Sequence, residues 1–324
     1  MILAGDVGAT KILLEVGEMR SGRWQTVLAR RYETHDAVNF PDVLHEFVGE
    51  LEPGRGAASK LEAAAIGVAG VADGNRVKMT LRPWTVDGDL VARRFAIPKV
   101  RVVNDLYATA HGIDWLDPGD LMALQPGMAE KDAPRVVLGV GTGLGISYRV
   151  AVDGGLREIP GEGGHANFGP ATLAQAGLWS EIFATHGRVS AEHVVSGAGL
   201  QHIYAFTNGI GAHRAGQHEL PTPEEITHGA IEQGKPEFAK ALDLFAECLG
   251  NVAGDHALCV MARGGVYLAG GVIAKVASWL DTPHFRAAFC GKAPHSALLM
   301  RIPVYAVKSE RTALLGAARL AAEA

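Results

Sequence analysis

Apolar and alternating runs open the chain at Ile2 to Val7, Lys11 to Glu18 and Trp24 to Thr34, parted by Gly8-Ala9 and Ser21-Gly22-Arg23. Period-two runs broken by tight glycine turns predict an antiparallel meander of three strands. Phe40-Pro41-Asp42 then starts a helical pattern with Val43, Leu44, Phe47 and Val48 on one face, ending near Pro53-Gly54. Ala63 to Ala69 and Val100 to Asn104 predict two buried strands, each preceded by enough chain for a crossover. A similar order returns further on. Arg135 to Gly141, Gly145 to Val152 and a run near Leu156 predict a second meander, and helices are expected at Leu173 to Thr185, Ala191 to Phe206 and Pro236 to Ala262. Gly264 to Ala269 and Ile302 to Val307 complete the strands, and Thr312, Leu315, Ala318 and Leu320 mark a C-terminal helix. The recurrence predicts an α/β fold made by internal duplication with insertions. If the C-terminal helix returns to the first half, the domains are 1–109 with 311–324, and 110–310.

Composition narrows the field. At 324 residues the chain is long enough for two domains of the usual ~100–200 residues. Thirty basic against thirty-five acidic residues give a net charge of −5. No stretch gathers Lys and Arg into a basic stripe, so nucleic acid and membrane surfaces are not expected partners. The start, Met1-Ile2-Leu3-Ala4-Gly5-Asp6, lacks a basic region and meets an acid early, and no apolar run approaches the ~20 residues of a membrane span. A cytoplasmic protein is expected. Cys248, Cys259 and Cys290 form no CxxC pair, which fits free thiols; Cys248 and Cys259 read as small buried hydrophobes of a helix.

The chemistry is concentrated in short segments. Gly5-Asp6-Val7-Gly8-Ala9-Thr10 places a glycine turn and a hydroxyl after a strand, where backbone N–H groups can meet phosphate and Asp6 can hold Mg²⁺ through water. The same strand and turn recur at Gly141-Thr142-Gly143-Leu144-Gly145. Neither is a Walker loop, which needs Gly-Lys-Ser/Thr opening a helix, and the run after Gly145 alternates like a strand rather than a dinucleotide-binding helix. Gly270-Gly271 ends a buried strand, where an adenosine can lie on backbone. Asp105 follows the strand that ends at Asn104 and is either the N-cap of the next helix or a general base accepting the proton of a hydroxyl that attacks a γ-phosphate. Glu162 and His165 stand among Gly161, Gly163 and Gly164, and with Glu192 after Ser190 they match several sugar hydroxyls. Read singly, His165 fits a structural role better than a ligand's, and Glu192 is most simply a first-turn helix carboxylate favoured by the dipole. Together the segments point to phosphoryl transfer to a sugar across an interdomain cleft.

In order along nearly the whole chain, these segments resemble bacterial glucokinase of the hexokinase–actin–Hsp70 ATPase superfamily. To those already quoted the likeness adds Pro160-Gly161, Ser196-Gly197 and Phe285-Arg286-Ala287-Ala288-Phe289. The resemblance implies two RNase H-like domains around a cleft, usually in a homodimer, and an ATP:glucose 6-phosphotransferase using ATP and Mg²⁺. It implies Asp105 as base, Asn104, Glu162, His165 and Glu192 on the sugar, and both hairpins with Gly270 and Gly271 on ATP. Two positions depart from the family pattern: Ala9 where a second glycine is usual, and Leu81 in Thr80-Leu81-Arg82-Pro83-Trp84 where asparagine is usual. Leu81 keeps open a kinase of another hexose or an amino sugar. A weakly catalytic sugar-binding regulator is a third reading, disfavoured by the presence of Asp105 with both hairpins.

Overall fold

The computed structural model describes residues 1–21, 23–51, 61–152, 155–210 and 220–324. It separates into two compact units, Met1–Leu116 with Arg311–Ala324, and Asp117–Glu310.

The first unit begins with the meander β1 (Ile2–Val7), β2 (Lys11–Arg20) and β3 (Arg23–Glu33). Helix α1 (Phe40–Gly49) comes next, started by Asn39, whose side chain accepts the Asp42 N–H at 2.9 Å, and by proline in its first turn. It ends at Gly49; Pro53-Gly54, where its end was expected, lies outside the described residues. Strand β4 (Ala63–Val68) is buried at every position, as a central parallel strand requires. Three short antiparallel strands, β5 (Gly70–Asp73), β6 (Arg76–Met79) and β7 (Thr85–Asp87), form a separate small sheet. Helix α2 (Gly88–Phe95), strand β8 (Lys99–Asn104) and helix α3 (Asp105–Gly112) complete this part. The large sheet has the order β3-β2-β1-β4-β8, with β1, β4 and β8 parallel. The C-terminal helix Thr312–Ala322 buries Leu314, Ala317, Ala318, Leu320 and Ala321 against Ala4, Ala63 and Ala65 of that sheet. Of the residues that marked this helix, Leu315 is only half-buried, and Ala313, Leu314 and Ala317 turn inward.

The second unit repeats the strand order. Strand β9 (Leu121–Gln125) precedes the meander β10 (Arg135–Val140), β11 (Leu144–Val152) and β12 (Gly155–Gly161). Helices α4 (Leu173–His186), α5 (Gly197–Thr207), α6 (Pro223–Ile231) and α7 (Pro236–Val260) lead to β13 (Val266–Ala269). Helices α8 (Gly271–Leu280) and α9 (Pro283–Cys290) lie between β13 and β14 (Val304–Val307). The sheet runs β12-β11-β10-β13-β14-β9, a meander followed by two parallel strands, with β9 added antiparallel at the edge. Its core centres on α7, where Phe245, Leu249 and Ala253 are wholly buried.

The continuous helix expected from Ala191 to Phe206 is broken into a 3₁₀ turn at Ala191–His193 and α5. Ser196 is the reason: its hydroxyl donates to Glu192 O at 2.7 Å and accepts the Gly199 N–H at 3.0 Å, starting a new helix. Cys248 is buried and its thiol pushed up by desolvation, whereas Cys259, expected to be buried, is exposed near the C-terminal end of the same helix. Among the described residues no helix is long and apolar enough to cross a membrane.

Candidate active site

In the first unit the candidate residues gather where β1, β4 and β8 end. Gly5 and Val7 are buried within β1, so Asp6, Gly8, Ala9 and Thr10 are the residues of that segment that reach solvent. The turn is pinned by Gly8 N–H to Lys11 O at 2.9 Å, by Thr34 N–H to Thr10 O at 2.9 Å and by the Thr34 hydroxyl to Gly8 O at 2.9 Å. Its exposed tip is Thr10.

Asp6 lies beside Gly67 of β4, and a side chain at 67 would sit 3.5 Å from the Asp105 Cα. Desolvation, reinforced by the Asp105 carboxylate and opposed by the Lys11 ammonium, pushes Asp6 up to about 7. This is an environment that a hydrated Mg²⁺ suits. The ion binds through one or two carboxylates plus waters and phosphate oxygens, and its charge would relieve the repulsion between the two acids. Among the described residues no group of three or more His, Cys, Asp or Glu is placed to hold a metal by itself.

Asn104, not Asp105, is the N-cap of α3. Its Oδ1 accepts the N–H groups of Leu106 at 2.9 Å and Tyr107 at 3.2 Å. One amide hydrogen goes to Gly70 O at 3.0 Å, and the other has no protein partner among the described residues. Asp105 occupies the first helical position, half-buried, its Oδ1 sharing the Leu106 N–H at 3.0 Å. Leu81 is 59% exposed.

In the second unit the turn between β10 and β11 closes through Gly141 N–H to Gly143 O at 2.9 Å. Gly270 follows β13 with φ of +103°, and a Cβ there would stand 2.3 Å from Val140 O, so glycine is required on both counts. Gly270 and Gly271 are thereby brought against the end of β10, exposed at the N-terminus of α8, where backbone N–H groups and the helix dipole favour an anion.

Glu162, Gly163, Gly164 and His165 fold as a short 3₁₀ turn after β12, in which a Cβ at Gly164 would overlap Leu144 O at 1.8 Å. His165 stands between two carboxylates, with Nε2 4.0 Å from Glu162 and Nδ1 3.9 Å from Glu192. Side-chain exposure falls from 79% at Glu162 through 56% at His165 to 31% at Glu192. The segment is tied to residues 189–191 by Phe168 N–H to Val189 O at 3.0 Å and Ala191 N–H to Ala166 O at 2.9 Å.

Two supporting residues carry no sequence signal. Arg188 donates to His165 O and, at 3.0 Å, to Asn167 Oδ1. His256 of α7 lies under Gly163 and shares a 2.6 Å hydrogen bond with Tyr148 Oη; burial holds its pKa below the ordinary histidine value.

The sequence pattern that defines the glucokinase family matches residues 3–324. The chain belongs to the glucokinase family. A glucokinase of Mesorhizobium japonicum is 34% identical over 99% of this chain and 91% of its own length. Among solved structures, a glucokinase from an Antarctic psychrotroph superposes with a TM-score of 0.86 at 24% identity, covering 100% of this chain and 99% of that one. A ROK family glucokinase from Streptomyces griseus, solved with glucose and AMPPNP, superposes with a TM-score of 0.66 at 22% identity over 100% and 99% of the two chains. At those identities the two structures bear on the fold.

Proposed function

We propose that Asp105 is the general base of the reaction that membership in the glucokinase family gives this chain, the ATP-dependent phosphorylation of glucose. The observation that carries this is the capping of α3. Because Asn104 satisfies the first N–H groups of the helix, the Asp105 carboxylate is not needed as the cap and stands at the carboxyl end of β8. The helix dipole favours its charged form, the form that accepts a proton. The 6-hydroxyl of glucose bonds to the γ-phosphorus of ATP and gives its proton to Asp105, while the bond to the β-phosphate oxygen breaks and ADP departs.

The other candidates take matching places. Asn104 offers its remaining amide hydrogen, and Glu162, His165 and Glu192 offer acceptors and an imidazole, to the remaining hydroxyls. Gly8 to Thr10 and Gly141 to Gly143 take the phosphates, with Gly270 and Gly271 beside the adenosine. Mg²⁺ bound with ATP and held by Asp6 through water neutralises the phosphate oxygens. The strand order common to both large sheets supports reading each unit as RNase H-like, a duplication of the actin and hexokinase type. The glucose and AMPPNP found with the Streptomyces griseus protein agree with the two ligands assigned.

Asp105→Asn keeps a hydrogen-bonding group without the proton-accepting charge. It should bind glucose while kcat falls ~10²–10⁴-fold. A variant turning over near the parental rate would exclude Asp105 as base.

A further inference from the structure

Glu192 touches more than the sugar loop. Its Oε2 accepts the backbone N–H of Leu144, the residue that closes the turn Gly141 to Gly143, at 2.9 Å. A Cβ on Gly143 would lie 2.5 Å from that same oxygen. The glycine at 143 therefore makes room for a carboxylate of the protein itself. The other oxygen, Oε1, faces His165 Nδ1 at 3.9 Å. The backbone around Glu192 is held as well, through the Ser196 hydroxyl on Glu192 O at 2.7 Å, Ala191 N–H on Ala166 O at 2.9 Å and Gly197 N–H on Gly141 O at 2.9 Å.

From this geometry we infer that Glu192 is a positioning residue for the turn Gly141 to Leu144 as well as a sugar ligand, one carboxylate serving the nucleotide loop and the sugar loop of the second unit. A hydrogen bond from backbone N–H to a carboxylate is charge-assisted and stronger than its neutral counterpart. It fixes the direction in which the chain leaves the turn, and hence where the neighbouring N–H groups point. Truncating Glu192 should therefore loosen a phosphate turn that the side chain never approaches through a ligand. The inference rests on the reading that Gly141 to Gly143 bind phosphate and that Glu192 binds sugar.

The test measures AMPPNP affinity in the absence of sugar, and glucose affinity in the absence of nucleotide, on the full chain, with thermal unfolding to verify folding. Glu192→Ala should weaken AMPPNP roughly tenfold, the loss of about one part-buried charge-assisted bond, besides weakening glucose. Glu192→Gln, whose amide oxygen still accepts the Leu144 N–H, should restore most of the AMPPNP affinity but not the glucose affinity. Gly143→Ala should weaken both ligands in the parent, and weaken glucose little further once Glu192 is alanine, because the two substitutions remove one contact. Parental AMPPNP affinity in Glu192→Ala, with glucose weakened, overturns the inference and leaves the sugar reading intact. Failure of the parent protein to bind AMPPNP or glucose overturns the underlying reading instead.

Discussion

Asp6 carries a charge that its surroundings resist. Raised to about 7 by desolvation and by Asp105, it binds a proton in the folded chain at pH values where the unfolded chain, with an ordinary carboxylate near ~3.9, has released it. Stability from this group is thus present below about pH 4, declines as pH rises, and is lost once pH passes about 7. With Mg²⁺ and nucleotide removed, Asp6→Asn should melt higher than the parent at pH 8 by a margin that shrinks towards pH 5. A margin independent of pH would mean that Asp6 titrates like an exposed acid. The same substitution should weaken the Mg²⁺ dependence of turnover. Both candidate carboxylates of the first unit could be picked out from sequence, because Asp6 stands near the end of an apolar strand and Asp105 directly follows another. Which residue caps α3 could not, since Asn104 and Asp105 are equally good capping types and only the bonds to Leu106, Tyr107 and Gly70 O separate them. The Leu144 contact of Glu192 was equally hidden, because it joins a turn to a distant 3₁₀ segment with no periodic relation between them.

The elements that local pattern revealed are those whose burial is decided by their own residues. β1, β2, β4, β10, β11 and α7 carry long apolar or alternating runs, and their boundaries fall within a few residues of expectation. β5 to β7 had no such signal: they are three or four residues long, and much of their surface is exposed. α2 was missed for a related reason, because only Gly88 and Val91 of its eight residues are buried and its start depends on Asp87 accepting the Leu90 N–H at 3.0 Å. The α3 cap offers a test in which structure and ligand binding separate. Asn104→Ala should cost ~0.5–2 kcal/mol in denaturant unfolding and weaken glucose binding. Asn104→Ser should recover most of the stability, since its hydroxyl can cap, but not the affinity, since it lacks the second amide hydrogen that the sugar reading needs. Recovery of both together would make Asn104 a cap and nothing more.

At the scale of the molecule, each unit has its own core, and the first is discontinuous in sequence. Its sheet is covered on one side by a helix that comes after the whole of Asp117–Glu310. A chain ending at Glu310 should keep a cooperative transition from the second unit. It should lose amide protection in β1 and β4, where Ala4, Ala63 and Ala65 would be stripped of the apolar helix face. Hydrogen exchange resolved by peptide reads this directly, and native protection of β1 in the shortened chain would show that the helix is dispensable. During synthesis the arrangement reverses the customary N-terminal-first order. The ribosome delivers the strands that carry Asp6 and lead to Asp105 early, yet must translate the entire second unit before the helix that seals their sheet exists. A polypeptide stalled late in that interval already carries the Gly141 to Gly143 turn and the Glu162 to His165 loop, but leaves Asp105 on an unfinished layer.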